Sequence, residues 1–285
     1  MDETKFLIIG ANGQLAKALQ QQYPKARVVG SRELDISDQS AAGAFDWAGT
    51  EVILNAGAYT NVDGAETPEG REAAWNLNAV GAANLSRVST ENNLTLVHFS
   101  TDYVFDGSKH PHTESEHFTP LGVYGQSKAA GDIAVGLTPK HYILRTSWVI
   151  GDGKNFVRTM LGLGQKQISP TVVADQIGRL SFTSELARAV DHLLSKQSAY
   201  GVYNVSNSGE PASWANITRR IFELGGFKDL TVSDTTTAEY FAGKEDIAPR
   251  PLNSVFELAK LEATGFVFHD WQADLNEYIK KEQTA

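Results

Sequence analysis

Tyr124 and Lys128 stand four positions apart in the run Val123-Tyr124-Gly125-Gln126-Ser127-Lys128. On a helix that spacing stacks the two side chains on one face, so a phenol and an ammonium can enter the same site. A free phenol ionises at about pH 10, and a cation beside it favours the phenolate and lowers that value. A phenol held this way is a proton donor suited to carbonyl reduction. Upstream, Ser100-Thr101-Asp102-Tyr103 closes an apolar run with hydroxyls and a carboxyl. The Tyr-x-x-x-Lys spacing alone is common on helix surfaces. Its weight depends on the elements around it.

Lys5-Phe-Leu-Ile-Ile9 is a short β-branched run, followed at once by Gly10-Ala-Asn-Gly13 and a helical pattern through Leu15, Ala18 and Leu19. Further strands are expected over 26–29, 51–54, 95–99 and 142–144, with helices over 68–92 and from Tyr124 to Gly136. Strands alternating with helices predict an α/β fold, a doubly wound parallel sheet of the Rossmann type. Beyond residue 150 the pattern changes to helices over 155–163, 184–194, 213–224 and 271–281, separated by Gly-Asp-Gly, Arg-Pro and Pro-Ala loops. The expected division is a dinucleotide-binding domain over 1–150, with returning segments near 174–208 and 252–260, and an interleaved, mainly substrate-binding region over 151–285.

Gly10-x-x-Gly13-x-x-Ala16 follows a strand and opens a helix, the setting in which a glycine pattern becomes a dinucleotide site. Gly10, Asn12, Gly13, Gln14 and Leu15 are the candidates there, because backbone amides at a helix start favour a pyrophosphate. A plain strand-to-helix turn with no ligand is the competing reading. At the end of the second strand stand Ser31 and Arg32, where an NAD-preferring site would usually place an acid. A hydroxyl and a guanidinium suit a 2'-phosphate, which tilts the expectation to NADPH, with NADH as a second donor; a solvated loop charge is the alternative for Arg32. Asp35 and Ile36 are expected beside the adenine, Asp35 equally as a turn or helix cap. Asn55-Ala56-Gly57-Ala58-Tyr59 ends the third strand in mostly small residues that let a cofactor pass close to the backbone.

Composition narrows the function. The chain has 285 residues, 41% of them apolar and 21% charged, enough for one large α/β domain or two small ones. A net charge of −9 argues against a general nucleic-acid binder. The absence of cysteine removes disulfides, thiolate metal sites and cysteine nucleophiles. No apolar run approaches the roughly 20 residues of a membrane span. The expectation is a cytoplasmic protein with no membrane or nucleic-acid partner.

Six segments occur in order: Asn55-Ala-Gly-Ala-Tyr-Thr-Asn-Val-Asp63, Ser100-Thr-Asp-Tyr-Val-Phe-Asp-Gly107, Tyr124-Gly-Gln-Ser-Lys128, Arg145-Thr-Ser-Trp148, Asp175-Gln-Ile-Gly178 and Arg250-Pro-Leu-Asn-Ser254. Together they make the chain closely resemble the dTDP-4-dehydrorhamnose reductases, within the extended short-chain dehydrogenase/reductase superfamily. The resemblance runs over nearly the full length. It implies hydride transfer from NAD(P)H to C4 of dTDP-6-deoxy-L-lyxo-4-hexulose, giving dTDP-L-rhamnose. It implies that Thr101 hydrogen-bonds the C4 carbonyl, that Tyr124 gives its proton to the developing alkoxide, and that Lys128 lowers the tyrosine pKa while binding the nicotinamide ribose. Asn78 falls where the superfamily anchors water or backbone near the lysine; a helix-bend residue is the equal alternative. Asp102, Tyr103 and Trp148 would border the sugar, and Arg250 would face the diphosphate. Gln176 would lie near the border between lobes.

Departures are informative. Some relatives dimerise around Mg2+ held by glutamates, one of them in the first helix, where this chain has Gln14-Leu-Ala-Lys-Ala-Leu19. The expectation is therefore no metal site, no metal-bridged dimer, and a monomer or weak homodimer. A sugar-nucleotide 4,6-dehydratase needs an Asp-Glu pair after its threonine; here Asp102 is followed by Tyr103, which argues for simple reduction. A regulatory subunit like that of methionine adenosyltransferase is the non-catalytic alternative.

Overall fold

The computed structural model describes residues 1–284. Its centre is a six-stranded sheet in which every pair is parallel. The strands β1 (Phe6–Ile9), β2 (Arg27–Val29), β3 (Val52–Asn55), β4 (Thr95–Thr101) and β5 (His141–Thr146) are joined at the edge by Gly201–Asn204. Across the sheet the order is Gly201–Asn204, β5, β4, β3, β1, β2. The chain moves outward from β1 to β2, then returns to lay β3 on the other side of β1. That reversal opens a crevice at the carboxyl ends of β1 and β3, where open α/β sheets take their ligands.

The strands are apolar on both faces because helices cover both. Alternate side chains feed separate cores. Phe6, Ile8, Leu54, Val97 and Leu144 join one with Leu19 of α1 (Gln14–Gln22) and Leu186 of α7 (Thr183–Ser195). Leu7, Ile9, Ile53, Leu96 and Ile143 join the other with Ala42 of α2 (Gln39–Ala44), Leu85 of α4 (Gly81–Glu91) and Val135 of α5 (Val123–Val135). A third cluster gathers α6 (Phe156–Gln165), α8 (Trp214–Gly225) and the last helix, Trp271–Thr284, around Val157, Ile217, Ile221 and Leu275.

The helix expected over 68–92 is continuous but not uniform. Thr67 caps its start, Pro68 occupies its first turn, and α3 (Pro68–Ala74) passes through a π-helical turn, Trp75–Val80, into α4. Such wide turns recur at functional sites. The sequence pattern marks neither this turn nor α2, whose Gln-Ser-Ala-Ala-Gly-Ala composition carries almost no apolar periodicity.

Candidate active site

Three elements bring the catalytic candidates together. β4 ends at Thr101, a 3-10 turn over Asp102–Val104 follows, and α5 carries Tyr124 and Lys128. Glycines allow the close approach. A Cβ on Gly125 would sit 2.1 Å from the Tyr103 carbonyl oxygen, and one on Gly131 would sit 2.3 Å from the Asn78 carbonyl oxygen. α5 thus rests directly on the turn after β4 and on the π-helical turn. Its first backbone amide, Val123 N–H, donates to Glu66 Oε1 at 2.9 Å, an acid well placed at a helix start.

Thr101, Tyr124 and Lys128 are all buried. The Tyr124 phenol lies in hydrogen-bonding reach of the Thr101 side chain. Burial pushes that phenol above its ordinary value, and the Thr101 bond only partly opposes this. Lys128 does not supply the expected lowering in this arrangement. Its Nζ donates to the Phe99 carbonyl at 2.7 Å and lies 3.2 Å from His98 Nε2. Burial pushes Lys128 itself down to about 8. The tyrosine is therefore a firmly protonated donor, and the lysine is less basic than an exposed one.

Asp102 and Tyr103 divide the work expected of both. Asp102 is buried, accepts from the Thr101 hydroxyl at 2.9 Å and from the Ser254 hydroxyl, and so has both oxygens turned to protein. Burial pushes its carboxyl up, against those two bonds. Tyr103 packs edge-on against Tyr124, with ring centroids 5.5 Å apart. Asn78 is both a helix-bend residue and an anchor: within the π-helical turn it accepts from Tyr59 N–H at 2.9 Å, donates to the Tyr59 carbonyl at 3.1 Å and donates to Ser127 Oγ at 3.0 Å. One amide ties the end of β3 to α5.

The crevice fits a dinucleotide. α1 starts at Gly13 with no side-chain cap and no acid in its first turn, leaving its first N–H groups available to an anion. A Cβ on Gly10 would sit 2.8 Å from Gly57 N, so the glycine turn and the end of β3 meet at backbone contact. Asn12 is exposed at the turn, and Leu15 is half-buried against the core. The Gln14 side chain faces the loop after β5 instead, accepting from Gly151 N–H at 3.1 Å. Ser31 and Arg32 are exposed at the end of β2. Glu33 folds back there to accept from Gly30 N–H at 2.9 Å, an acid that the linear pattern does not place at the strand end. Asp35 forms a turn, accepting from Ser37 N–H and Oγ–H at 2.9 and 2.6 Å. Ile36 is core, packed against Gly81, so only its backbone can border a ligand. Asn55 is buried, whereas Ala56, Gly57, Ala58 and Tyr59 are half-buried along the opening.

The other wall is aromatic. Trp148 adopts a left-handed backbone, φ 47°, and stacks on Trp214 at 3.7 Å and 20°. Gly178 makes room for it, since a Cβ there would meet the indole at 2.9 Å. Strain of this kind concentrates at functional sites. A cavity of about 420 Å³ opens beside the pair, lined by Phe156, Met160, Gln176, Trp214, Phe241 and Arg250 among others. Gln176 Oε1 accepts from the Trp214 indole N–H at 3.2 Å. Arg250 is not free-standing: it holds Asp63 through two bonds of 2.6 and 2.8 Å. Its charge also acts on the Tyr103 phenol, and the Tyr103 ring in turn packs on Tyr124. Trp214 carries no local signal in the sequence, and Asp63, which closes one of the six segments, gains its partner Arg250 only by long-range folding. Glu185, His269 and Asp274 converge elsewhere, but the oxygens of Glu185 accept from Arg188 and the His269 amide, and Asp274 accepts from Asn207.

A doubly wound sheet with an uncapped glycine turn and a buried Thr-Tyr-Lys set defines an NAD(P)-dependent oxidoreductase of the extended short-chain type. The model of the RmlD substrate binding domain matches residues 4–284. The dTDP-4-dehydrorhamnose reductase of Aggregatibacter actinomycetemcomitans is 36% identical over 293 residues, covering 95% of this chain and 97% of that protein. A solved dTDP-4-dehydrorhamnose reductase from Clostridium acetobutylicum is 37% identical, with a TM-score of 0.88 over 98% of this chain and 99% of that one. Another, from Bacillus anthracis in complex with NADP, is 35% identical, with a TM-score of 0.87 over 97% of each chain. The chain belongs to the dTDP-4-dehydrorhamnose reductase family. Among the described residues no helix is long and apolar enough to cross a membrane.

Proposed function

We propose that this protein reduces the C4 ketone of dTDP-6-deoxy-L-lyxo-4-hexulose to give dTDP-L-rhamnose, using NADPH and accepting NADH. The observation that carries this is the buried set Thr101, Tyr124 and Lys128 beside the crevice, with Tyr103 where a dehydratase has its glutamate. The dinucleotide supplies the hydride. Tyr124 holds the proton: burial keeps the phenol protonated through neutral pH, so it gives that proton up only when a stronger base, the alkoxide, forms beside it. Thr101 positions the carbonyl by turning its one hydroxyl proton, given to Asp102 in this arrangement, to the carbonyl oxygen. Lys128 serves the nicotinamide ribose.

The remaining roles belong to the same proposal. Gly10, Asn12, Gly13, Gln14 and Leu15 serve the pyrophosphate through backbone, and residues 55–59 let the dinucleotide lie close. Trp148 and Tyr103 border the sugar, with Asp102 acting through Thr101. Arg250 meets the diphosphate by exchanging Asp63 for phosphate oxygens, which match its fork of donors equally well. The division of labour is 1–150 with segments near 174–208 and 252–260 for the dinucleotide, and the rest mainly for the sugar nucleotide. We place the reaction in the cytoplasm and take the active form to be a monomer or weak homodimer. The test is NADPH oxidation with the 4-keto-6-deoxy sugar nucleotide, followed by assignment of product stereochemistry. Cofactor binding without turnover would instead favour a regulatory subunit.

A further inference from the structure

His98 lies in β4, 1% exposed, and has no part in the roles above. Each ring nitrogen has one neighbour: Nδ1 is 3.1 Å from Asn55 Nδ2, and Nε2 is 3.2 Å from Lys128 Nζ. The other end of the Asn55 amide decides its orientation. Gly57 N–H donates to Asn55 Oδ1 at 3.2 Å, so the NH2 group faces the imidazole. Nδ1 then accepts, and the one proton of a neutral imidazole sits on Nε2. An ammonium has no lone pair to receive it. Nζ can satisfy Nε2–H only as an amine, which still has N–H to donate to the Phe99 carbonyl at 2.7 Å.

The opposite state has equally definite requirements. An ammonium at Lys128 needs Nε2 to accept, which moves the imidazole proton to Nδ1. Asn55 must then turn its oxygen to the ring, and Gly57 N–H is released. That amide lies against Gly10 of the glycine turn. The remaining groups around Nζ are Tyr124 one turn back on α5 and Asp132 one turn on, the latter paired with Arg145 of β5 at 3.1 Å. Burial pushes both Lys128 and His98 downward, in the direction the hydrogen bonds demand.

We propose that Asn55 and His98 are a positioning pair that couples the dinucleotide crevice to the charge of Lys128, so that a bound dinucleotide drawing on Gly57 N–H is accompanied by uptake of one proton from solvent at Nζ. The inference rests on the cofactor reading above. The imidazole changes tautomer with no net gain of protons. Because the bound form holds the proton more tightly, affinity for NADPH is greatest below the value of free Lys128 and falls as pH rises above it.

Titration calorimetry of the full chain with NADPH, in two buffers of different ionisation enthalpy at about pH 8.5, reads the proton count directly; the 2'-phosphate, with its second ionisation at about 6, is silent there. Wild type should take up more than half a proton per NADPH. Asn55→Asp, whose oxygens accept from both Gly57 and His98 Nδ1–H, should hold Lys128 as an ammonium from the start and take up almost none. His98→Gln keeps one donor and one acceptor and should retain the uptake. Lys128→Met should abolish it. NADPH binding by wild type with no proton uptake overturns the coupling, as does undiminished uptake in Lys128→Met or Asn55→Asp. Failure of wild type to bind NADPH at all would fell the cofactor reading instead.

Discussion

The crevice between β1 and β3 and the cleft walled by Trp148, Trp214 and Arg250, which reaches Tyr124 by way of the Tyr103 ring, are built from different materials. The crevice is backbone: an uncapped helix start, two glycines in contact distance of neighbouring main chain, and amides fixed by Asn55 and Asn78. The cleft is side chain: the indole of Trp148, on a strained loop, stacked on that of Trp214 at the start of α8, and an ion pair joining residues 187 positions apart. A backbone site inherits its geometry from sheet topology and tolerates few substitutions. A side-chain site can be re-shaped residue by residue while the sheet stays the same.

That contrast can be broken by experiment. Tyr124→Phe, at the junction, should cost about 10²- to 10⁴-fold in kcat while leaving NADPH affinity near wild type; near-normal turnover would remove the phenol from the chemistry. Gly125→Ala tests the backbone side. Its Cβ would meet the Tyr103 carbonyl at 2.1 Å, so the turn after β4 must shift, with a loss of about 1–3 kcal/mol in denaturant titration and a fall in kcat. Trp214→Ala tests the side-chain wall: KM for the sugar nucleotide should rise about 3- to 10-fold with NADPH affinity unchanged. If the cofactor constant moved as well, the two walls would not be separable. The smallest effect is expected at the exposed end of β2, where Arg32→Ala should lower kcat/KM for NADPH relative to NADH by about fivefold. Glu33→Gln should shift the ratio the other way.

The same contrast explains what the sequence discloses. The glycine turn, the Tyr-x-x-x-Lys face and the alternation of β1 to β5 with helices are local patterns, and the folded chain keeps them. His98 is invisible by pattern because it occupies an ordinary inward position of an apolar strand; only the register of β4 beside β3, with Asn55 opposite His98, gives it partners. Asp63 reads as a loop acid until Arg250 is folded onto it. Trp214 looks like the first apolar residue of an amphipathic helix, which it is, and the Trp148 stack is extra. The lowered tyrosine expected from the lysine follows from spacing, but burial on α5 dominates, and Lys128 Nζ is drawn to β4.

The edge strand Gly201–Asn204 bears on how the protein is made. β5 pairs with β4 on one side and with Gly201–Asn204 on the other. At ribosomal rates of roughly 5–20 residues per second, the stretch from Thr146 to Asn204, about 58 residues, takes about 3 to 12 s to synthesise. During that interval β5 lacks its outer neighbour and is an open edge rich in apolar side chains, a template for pairing with other chains. Completion of the sheet, and with it a protected Arg145 beneath Asp132, waits on translation of the second half. Slow codons or chaperone capture would matter most within that window.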